Sequence, residues 1–480
     1  MNNKYEVTIG LEVHCEVKTN SKMFSSSPNN YNETANENIS EVDMGFPGIL
    51  PVANMEAVKK SIMMSIALNC KQPEYMYFDR KNYYYPDLPK GYQITQNTEP
   101  VGINGYINVF VGDEVKKILI HDIHLEEDTA SLDHYETYSL IDYNRCSVPL
   151  LETVTEPCIH SADEALAFLD ALRRIFLYTG ISEARTDRGQ MRCDVNISLA
   201  PIGSDKLGTK VEMKNINSFS NVKDAILYEI KRQSEALDNG EAIIMETRRY
   251  DDSTGKTYRM REKVEGVDYK YYVEPNIPPF KITKELIEEL KEKLPMLQYD
   301  RIIKYMNDYE LSLYDATILT KNLETSLYFE EVISKGIDPK LGANWINTRI
   351  LGYVNKEEIS INDCTFKTED LVELITYINK GTISTKQAKD VFYKCLEENK
   401  KPSVVIKENN MEQITDESAI LSVIKEVIEE NRTLAESYDP ERGRTVDFFV
   451  GQVMKKTRGK ANPKAAMDLI KEELMKLKEK

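Results

Sequence analysis

Residues 191–199 alternate without a break: Cys193, Val195, Ile197 and Leu199 are apolar, and Arg192, Asp194, Asn196 and Ser198 are polar. A strict period of two puts each set on its own face of a β-strand. One face meets a core, and the other carries a guanidinium, an acid and an amide. Gly10–Glu16 repeats the design, with Leu11 and Val13 on one face and Glu12, His14 and Glu16 on the other. Lys210–Asn215 does so again, with Glu212 between two lysines on the polar side. Such faces suit a divalent cation or phosphates, and they equally suit plain solvation. Alternation alone leaves both readings open.

Around these strands the first 280 or so residues mix periods. Tyr5–Val17 reads as a strand, Thr19–Ser40 as a polar loop, and Asn54–Asn69 as a helix. Ser161-x-x-Glu164 is a capping box that opens a helix ending before Gly180, with Leu166, Leu169, Leu172 and Phe176 on one side. A further helix runs from Asn221 to about Leu237 and stops at Asn239-Gly240. Residues 100–150 and 190–215 read as antiparallel strands and turns. The fold class expected is α+β, with sheets not wound in regular βαβ units. From about Thr283 the pattern turns helical and stays so, with a break at Lys400-Lys401-Pro402. The last two helices cover about Arg444–Thr457 and, capped by Asn462, Pro463–Lys478.

Charge narrows the partners. The chain carries a net −17, against indiscriminate nucleic-acid binding, yet residues 441–480 hold 11 Lys/Arg and 6 Asp/Glu. The turn between the last helices, with Lys455, Lys456, Arg458 and Lys460, is the place a polyanion would be tolerated. No run approaches the roughly 18 apolar residues of a membrane span, and the N-terminus has no signal-like h-region, so a cytoplasmic location is expected. The seven scattered cysteines form no C-x-x-C pair, which fits reduced thiols, with Cys193 buried.

All five histidines lie within the first 160 residues. His121-Asp122-Ile123-His124-Leu125-Glu126-Glu127-Asp128 is a dense His/acid cluster that reads as a metal site or as a merely acidic loop. No P-loop, dinucleotide glycine motif or G-x-S-x-G elbow occurs. A nucleotide, if bound, must be held through carboxylate-bound Mg²⁺ and scattered basic side chains.

In order along the chain, IGLEVHCEVKTNSKMF (9–24), GFPGILPVAN (45–54), YYYPDLPKGYQITQ (83–96), IHLEEDTA (123–130), DYNRCSVPLLETVTEP (142–157), MRCDVNIS (191–198), GTKVEMKNINSF (208–219) and VGQVMKKTRGKANP (450–463) resemble the B subunits of the bacterial aspartyl/glutamyl-tRNA amidotransferases. The resemblance implies a glutamine-synthetase-like cradle over 1–292, a helical domain over 293–402 and a helical tail domain over 403–480 that contacts tRNA. It implies transfer of the ATP γ-phosphate to the side-chain carboxylate of Glu or Asp on misacylated tRNA(Gln) or tRNA(Asn). Ammonia from the partner amidase subunit then completes the amide, within a heterotrimer whose third member is a small subunit. By this likeness His14, Glu127 and Glu212 match metal ligands, and Glu12 and Glu126 match acids serving a second ion. Arg192, Asp194 and Asn196 line the same pocket, Lys90 lies in the P-D-L-P-K-G-Y-Q run, and the cofactors are ATP and Mg²⁺.

Three departures stand out. Glu41-Val42-Asp43-Met44 lacks the cysteines of the family's zinc element, so no structural zinc is expected. Arg188-Gly189-Gln190 and Asn276 replace more usual family residues, which raises a competing reading as a divergent, non-catalytic tRNA-binding scaffold.

Overall fold

The computed structural model describes residues 4–32, 34–214, 216, 218–262, 268–411, 417–438, 444–457, 461 and 463–478. The chain divides into two compact units, Met1–Asp308 with Thr320–Leu323, and Tyr309–Leu319 with Glu324–Lys480.

The first unit is built on an eight-stranded sheet. Its strands are β1 (Tyr5–Glu16), β2 (Gly102–Val111), β3 (Glu114–Glu127), β4 (Pro149–Thr155), β5 (Met191–Pro201), β6 (Val211–Lys214), β7 (Glu246–Asp251) and β8 (Lys256–Glu262). Their spatial order is β8-β7-β6-β5-β1-β4-β3-β2. Neighbours are antiparallel except β6 and β7, which run parallel. A helix links these two strands and returns the chain in the same direction, one βαβ step in a sheet whose other neighbouring pairs are antiparallel.

Period-two patterning sorts the faces. Ile9, Leu11, Val13 and Cys15 of β1 and Cys193, Val195, Ile197 and Leu199 of β5 are all buried in one core. Helices α1 (Met55–Ala67), α2 (Ala162–Thr179) and α3 (Phe219–Asp238) contribute to the same core, α2 through Phe168, Leu169, Leu172 and Phe176. Each such side chain contributes about 1.5–3 kcal/mol by leaving water. The helix ends follow local chemistry: Ser161 Oγ accepts from Glu164 N at 3.1 Å, and Gly180 closes α2 at φ 65°. Glu164 returns its carboxylate to His160 N at 2.8 Å rather than to Ser161, so the expected box closes one residue early. Ser218 caps α3, which begins at Phe219, two residues ahead of the expected Asn221.

Close approach rather than a turn explains Gly105 of β2. An added Cβ there would sit 2.4 Å from Cys70 Sγ and 2.6 Å from Leu68 O. Smaller sheets flank the large one, among them the strands Asp79–Asn82, Tyr92–Thr95 and Tyr272–Val273. Among the described residues no strand follows Lys281. In the second unit the helices Glu417–Glu430, Arg444–Lys456 and Pro463–Lys478 share a core of their own, with Ile424, Phe449, Val453, Ile470 and Leu474 buried. No described helix is long and apolar enough to cross a membrane.

Candidate active site

The face of the large sheet opposite the core is a lattice of charged side chains whose positions follow from register. One row crosses β3, β4, β1 and β5 as His124, Glu152, His14 and Arg192. The next row reads Asp122, Val154, Glu12 and Asp194, and a third pairs Gly10, Asn196, Glu212 and Thr247. Adjacent strands lie about 4.8 Å apart, so registered side chains on one face necessarily touch.

In the first row Glu152 Oε2 lies 3.3 Å from His14 Nε2 and 3.0 Å from His124 Nε2. His124 is oriented from behind by Asp122 Oδ1, 2.7 Å from Nδ1. Burial pulls both imidazoles down, and the Glu152 carboxylate more than offsets it, so His14 and His124 stand above the ordinary histidine range. Burial pushes Glu152 up, but the two rings hold it well below the usual carboxylate range. Glu126 shows the opposite balance. Burial, then the nearby Glu152 charge, raises it, and its Oε2 accepts from Thr95 Oγ1 at 2.9 Å.

The second and third rows bring together Glu12, Asp194 and Glu212. Asn196 Nδ2 donates to Glu12 Oε1 at 2.8 Å, while its own buried Oδ1 finds no partner. Thr247 Oγ1 donates to Glu212 Oε2 at 2.8 Å, and Lys214 forms ion pairs with Asp194 and Glu212. Arg192 clamps Asp128 through two hydrogen bonds of 2.9 and 2.7 Å. Burial raises and the Arg192 and Arg145 charges lower Asp128, with a net fall.

Two acid-rich groups therefore offer ligand atoms lying within 4.8 Å of one another: His14, Glu126 and Glu152, and Glu12, Asp194 and Glu212. Carboxylate oxygens with a single imidazole form a hard donor set, and either group could hold a divalent cation. A cation between Glu126 and Glu152 would also relieve the repulsion that raises Glu126.

The expected ligand residues do not form one set. Glu12 and Glu212 meet in one cluster and His14 stands in the other. Glu127 is in neither, because alternation along β3 turns it away from Glu126. Its carboxylate takes Lys90 Nζ at 2.6 Å and Ile94 N at 2.9 Å. Of the basic turn, Lys455 and Lys456 end the helix Arg444–Lys456, while Arg458 and Lys460, like the proposed cap Asn462, lie outside the described residues. Glu152 and Lys81 were not foreseen, and Asp122 and His124 were read only as members of the dense His/acid cluster. Glu152 left a signal, since it is the one acid in Pro149–Thr155, and a lone charge in a buried strand needs a partner.

The departures are locally satisfied. The Arg188 guanidinium sits 5.1 Å from the centre of the Tyr31 ring, and Gln190 O accepts from Glu16 N at 2.8 Å. Asn276 donates its backbone N–H and its Nδ2 to Glu274 Oε1, at 2.9 and 2.8 Å.

Two cavities open on this face. One, of 430 Å³, is lined by residues of both clusters with Arg192, Lys214 and Tyr269. The other, of 480 Å³, is lined by His121, Asp122, His124, Asn97 and Tyr271, among others. They share Glu12, Lys81, Glu126 and Glu152 as a common wall.

Comparison with known proteins gives a consistent picture. Residues 7–288 match the GatB/GatE catalytic domain and residues 327–474 the GatB domain. The chain is 44% identical over 470 residues, 98% of its length and 99% of the relative's, to the aspartyl/glutamyl-tRNA(Asn/Gln) amidotransferase B subunit of Persephonella marina. Proteins of the same name from Macrococcus caseolyticus and Geobacillus thermodenitrificans are each 44% identical over 98% of the chain and 99% of their own length.

Proposed function

The chain belongs to the family of aspartyl/glutamyl-tRNA(Asn/Gln) amidotransferase B subunits, and from that premise we propose that its polar sheet face is a phosphoryl-transfer site. There the side-chain carboxylate of Glu or Asp, esterified to tRNA(Gln) or tRNA(Asn), is activated by ATP and then amidated. The observation that carries this reading is the pair of acid clusters lining one cavity together, with Glu12, Glu126 and Glu152 also lining the second. Two substrates need two compartments, and a carboxylate receiving phosphate needs its charge neutralised at their junction.

In the proposed sequence the substrate carboxylate oxygen attacks the γ-phosphorus, the bond to the β-phosphate oxygen breaks, and ADP leaves with the electron pair. Ammonia then attacks the acyl carbon, the carbon–oxygen bond to phosphate breaks, and a proton is lost as the amide forms. His14, Glu126 and Glu152 would hold one Mg²⁺, and Glu12, Asp194 and Glu212 another. Bound there, Mg²⁺ would neutralise charge gathering on phosphoryl oxygens. The chain itself fixes the geometry: Asp122 and His124 orient Glu152, and Asp128 holds Arg192 across the cavity floor. Asn196 and Thr247 aim Glu12 and Glu212. Ammonia comes from the partner amidase subunit, in a complex completed by a small third subunit. The sheet unit is read as a glutamine-synthetase-like cradle, with the helical domain and tail beyond it holding tRNA.

The test uses the chain assembled with its partner subunits, misacylated tRNA, Mg²⁺ and radiolabelled ATP. Release of ADP that depends on the misacylated tRNA supports the reading. Its absence sinks it and leaves a tRNA-binding scaffold.

A further inference from the structure

The two cavities share a wall, and one residue of that wall differs in kind from the rest. Glu12, Glu126 and Glu152 are acids, and Lys81 is a base. Lys81 lies in the strand Asp79–Asn82, outside the large sheet, and reaches both cavities.

The lysines and arginines lining the two cavities are Lys81, Arg192 and Lys214. Arg192 is committed to Asp128, and Lys214 to Asp194 and Glu212. Among the described residues Lys81 alone of these three has no carboxylate partner within ion-pair distance. Aromatic faces hold it instead: its ammonium is 5.1 Å from the centre of the Tyr269 ring and 5.9 Å from that of Tyr83. A ring quadrupole steadies a cation without neutralising it. Full charge is thus kept available at the junction. Burial pulls Lys81 down, but Glu126, then Tyr271 and Glu152, raise it on balance, so the ammonium persists at neutral pH.

Glu12, Glu126 and Glu152 would be engaged with the Mg²⁺ ions proposed above, which leaves Lys81 as the cation that the chain itself supplies on the shared wall. We propose that Lys81 is a catalytic residue whose ammonium binds the non-bridging oxygens of the phosphoryl group as it passes from one cavity to the other. This rests on the phosphoryl-transfer reading above. Lys81 neither gains nor loses a proton: the carboxylate–phosphorus bond forms, the bond to ADP breaks, and the ammonium matches charge throughout.

The experiment compares the wild-type complex with Lys81→Met, which keeps the length of the side chain, and Lys81→Arg, which keeps its charge. It reads ADP release dependent on misacylated tRNA, and affinity for ADP with and without aluminium fluoride, a mimic of the transferring phosphoryl. The expected result is a loss on the order of 10²-fold in turnover for Lys81→Met, with ADP alone bound within about twofold of wild type. The tightening by aluminium fluoride should disappear in Lys81→Met and survive in part in Lys81→Arg. Wild-type tightening and turnover in Lys81→Met would overturn the assignment. So would a parallel loss of ADP and tRNA affinity, which marks a structural role. If wild type itself releases no ADP with misacylated tRNA, the phosphoryl-transfer reading fails first, and this inference with it.

Discussion

His14 and Glu152 are registered partners on adjacent strands, and their Nε2 and Oε2 atoms lie 3.3 Å apart. The same carboxylate oxygen serves His124, so one acid sets the protonation of two imidazoles. Glu152→Gln removes that shared counter-charge. Both imidazoles should then fall in pKa, since burial is left opposed only by Glu126 and, for His124, Asp122. The raised histidine pKa values contribute stability that is fully present below the unfolded histidine value and lost as pH rises through the folded one. The melting-temperature gap between wild type and Glu152→Gln, in metal-free protein, should therefore be wider near pH 6.5 than near pH 10. ATP cleavage dependent on misacylated tRNA should drop on the order of 10²-fold or more. An equal gap at both pH values would show that the pairing is not what shifts the rings.

What the sequence could and could not disclose follows from range. Alternation in Gly10–Glu16 and 191–199 correctly put Glu12 with His14, and Asp194 with Asn196, on the polar face of each strand, because strand periodicity is local. Which acids meet is a matter of register between strands more than a hundred residues apart, as with Glu12 and Asp194. Glu126 and Glu127 are adjacent in sequence and opposite in the fold, a distinction set by the phase of β3. That phase carries a bulge between Ile120 and Asp122. Lys81 was out of reach for another reason: its place depends on a short strand brought to the polar face from outside the sheet. The parallel β6–β7 pair was missed because alternation assigns a residue to a face and carries no information on which strand lies beside it or in which direction.

The loop that lacks zinc-binding cysteines is held instead by a buried ion pair. Lys22 and Asp43 have fully buried side chains with Nζ and Oδ2 3.6 Å apart. Ser27 Oγ, Ser40 N and Ser40 Oγ donate to the same Asp43 oxygen at 2.6, 2.9 and 3.1 Å. Lys22 also donates to Tyr143 O at 3.3 Å. Removing one partner strands a buried charge, so Asp43→Ala should cost about 3–5 kcal/mol in denaturant titration. A zinc-selective chelator should leave the melting temperature unchanged. A chelator-induced fall, or a neutral Asp43→Ala, would reject this account of the loop.

Asn276 bears on whether its departure from the family pattern weakens the enzyme. Its two donors meet Glu274, whose buried carboxylate also takes Arg80 Nη2 at 3.0 Å. Burial raises Glu274, and Arg80 with the Asn276 donors brings it below the ordinary value. Asn276→Asp would set a second carboxylate beside it, at a cost of about 1–2 kcal/mol at neutral pH. A depressed carboxylate contributes stability above its unfolded pKa and loses it as pH falls through the folded one. The melting-temperature deficit of Asn276→Asp should accordingly shrink below about pH 4.3, where the added repulsion titrates away. Turnover should be retained, because this clip holds the strand Tyr272–Val273 and lines neither cavity. A variant that folds as wild type but turns over poorly would place Asn276 in the chemistry.

The basic turn separates into unequal contributors. Lys456 is already paired with Glu426 at 2.9 Å and Glu430 at 2.6 Å, whereas exposed Lys455 has no carboxylate partner among the described residues. A phosphate contact by Lys456 must first break two ion pairs, so its net yield is smaller. Lys455→Ala should weaken tRNA binding and lower the slope of log K against log salt by about one. Lys456→Ala should lower it by less, and the double change Glu426→Gln with Glu430→Gln should strengthen binding by freeing Lys456. Filter binding or fluorescence titration across a salt series measures all three. Equal slopes for Lys455→Ala and Lys456→Ala would mean that the ion pairs dissolve in the complex, and no change in either would remove this turn from the RNA surface.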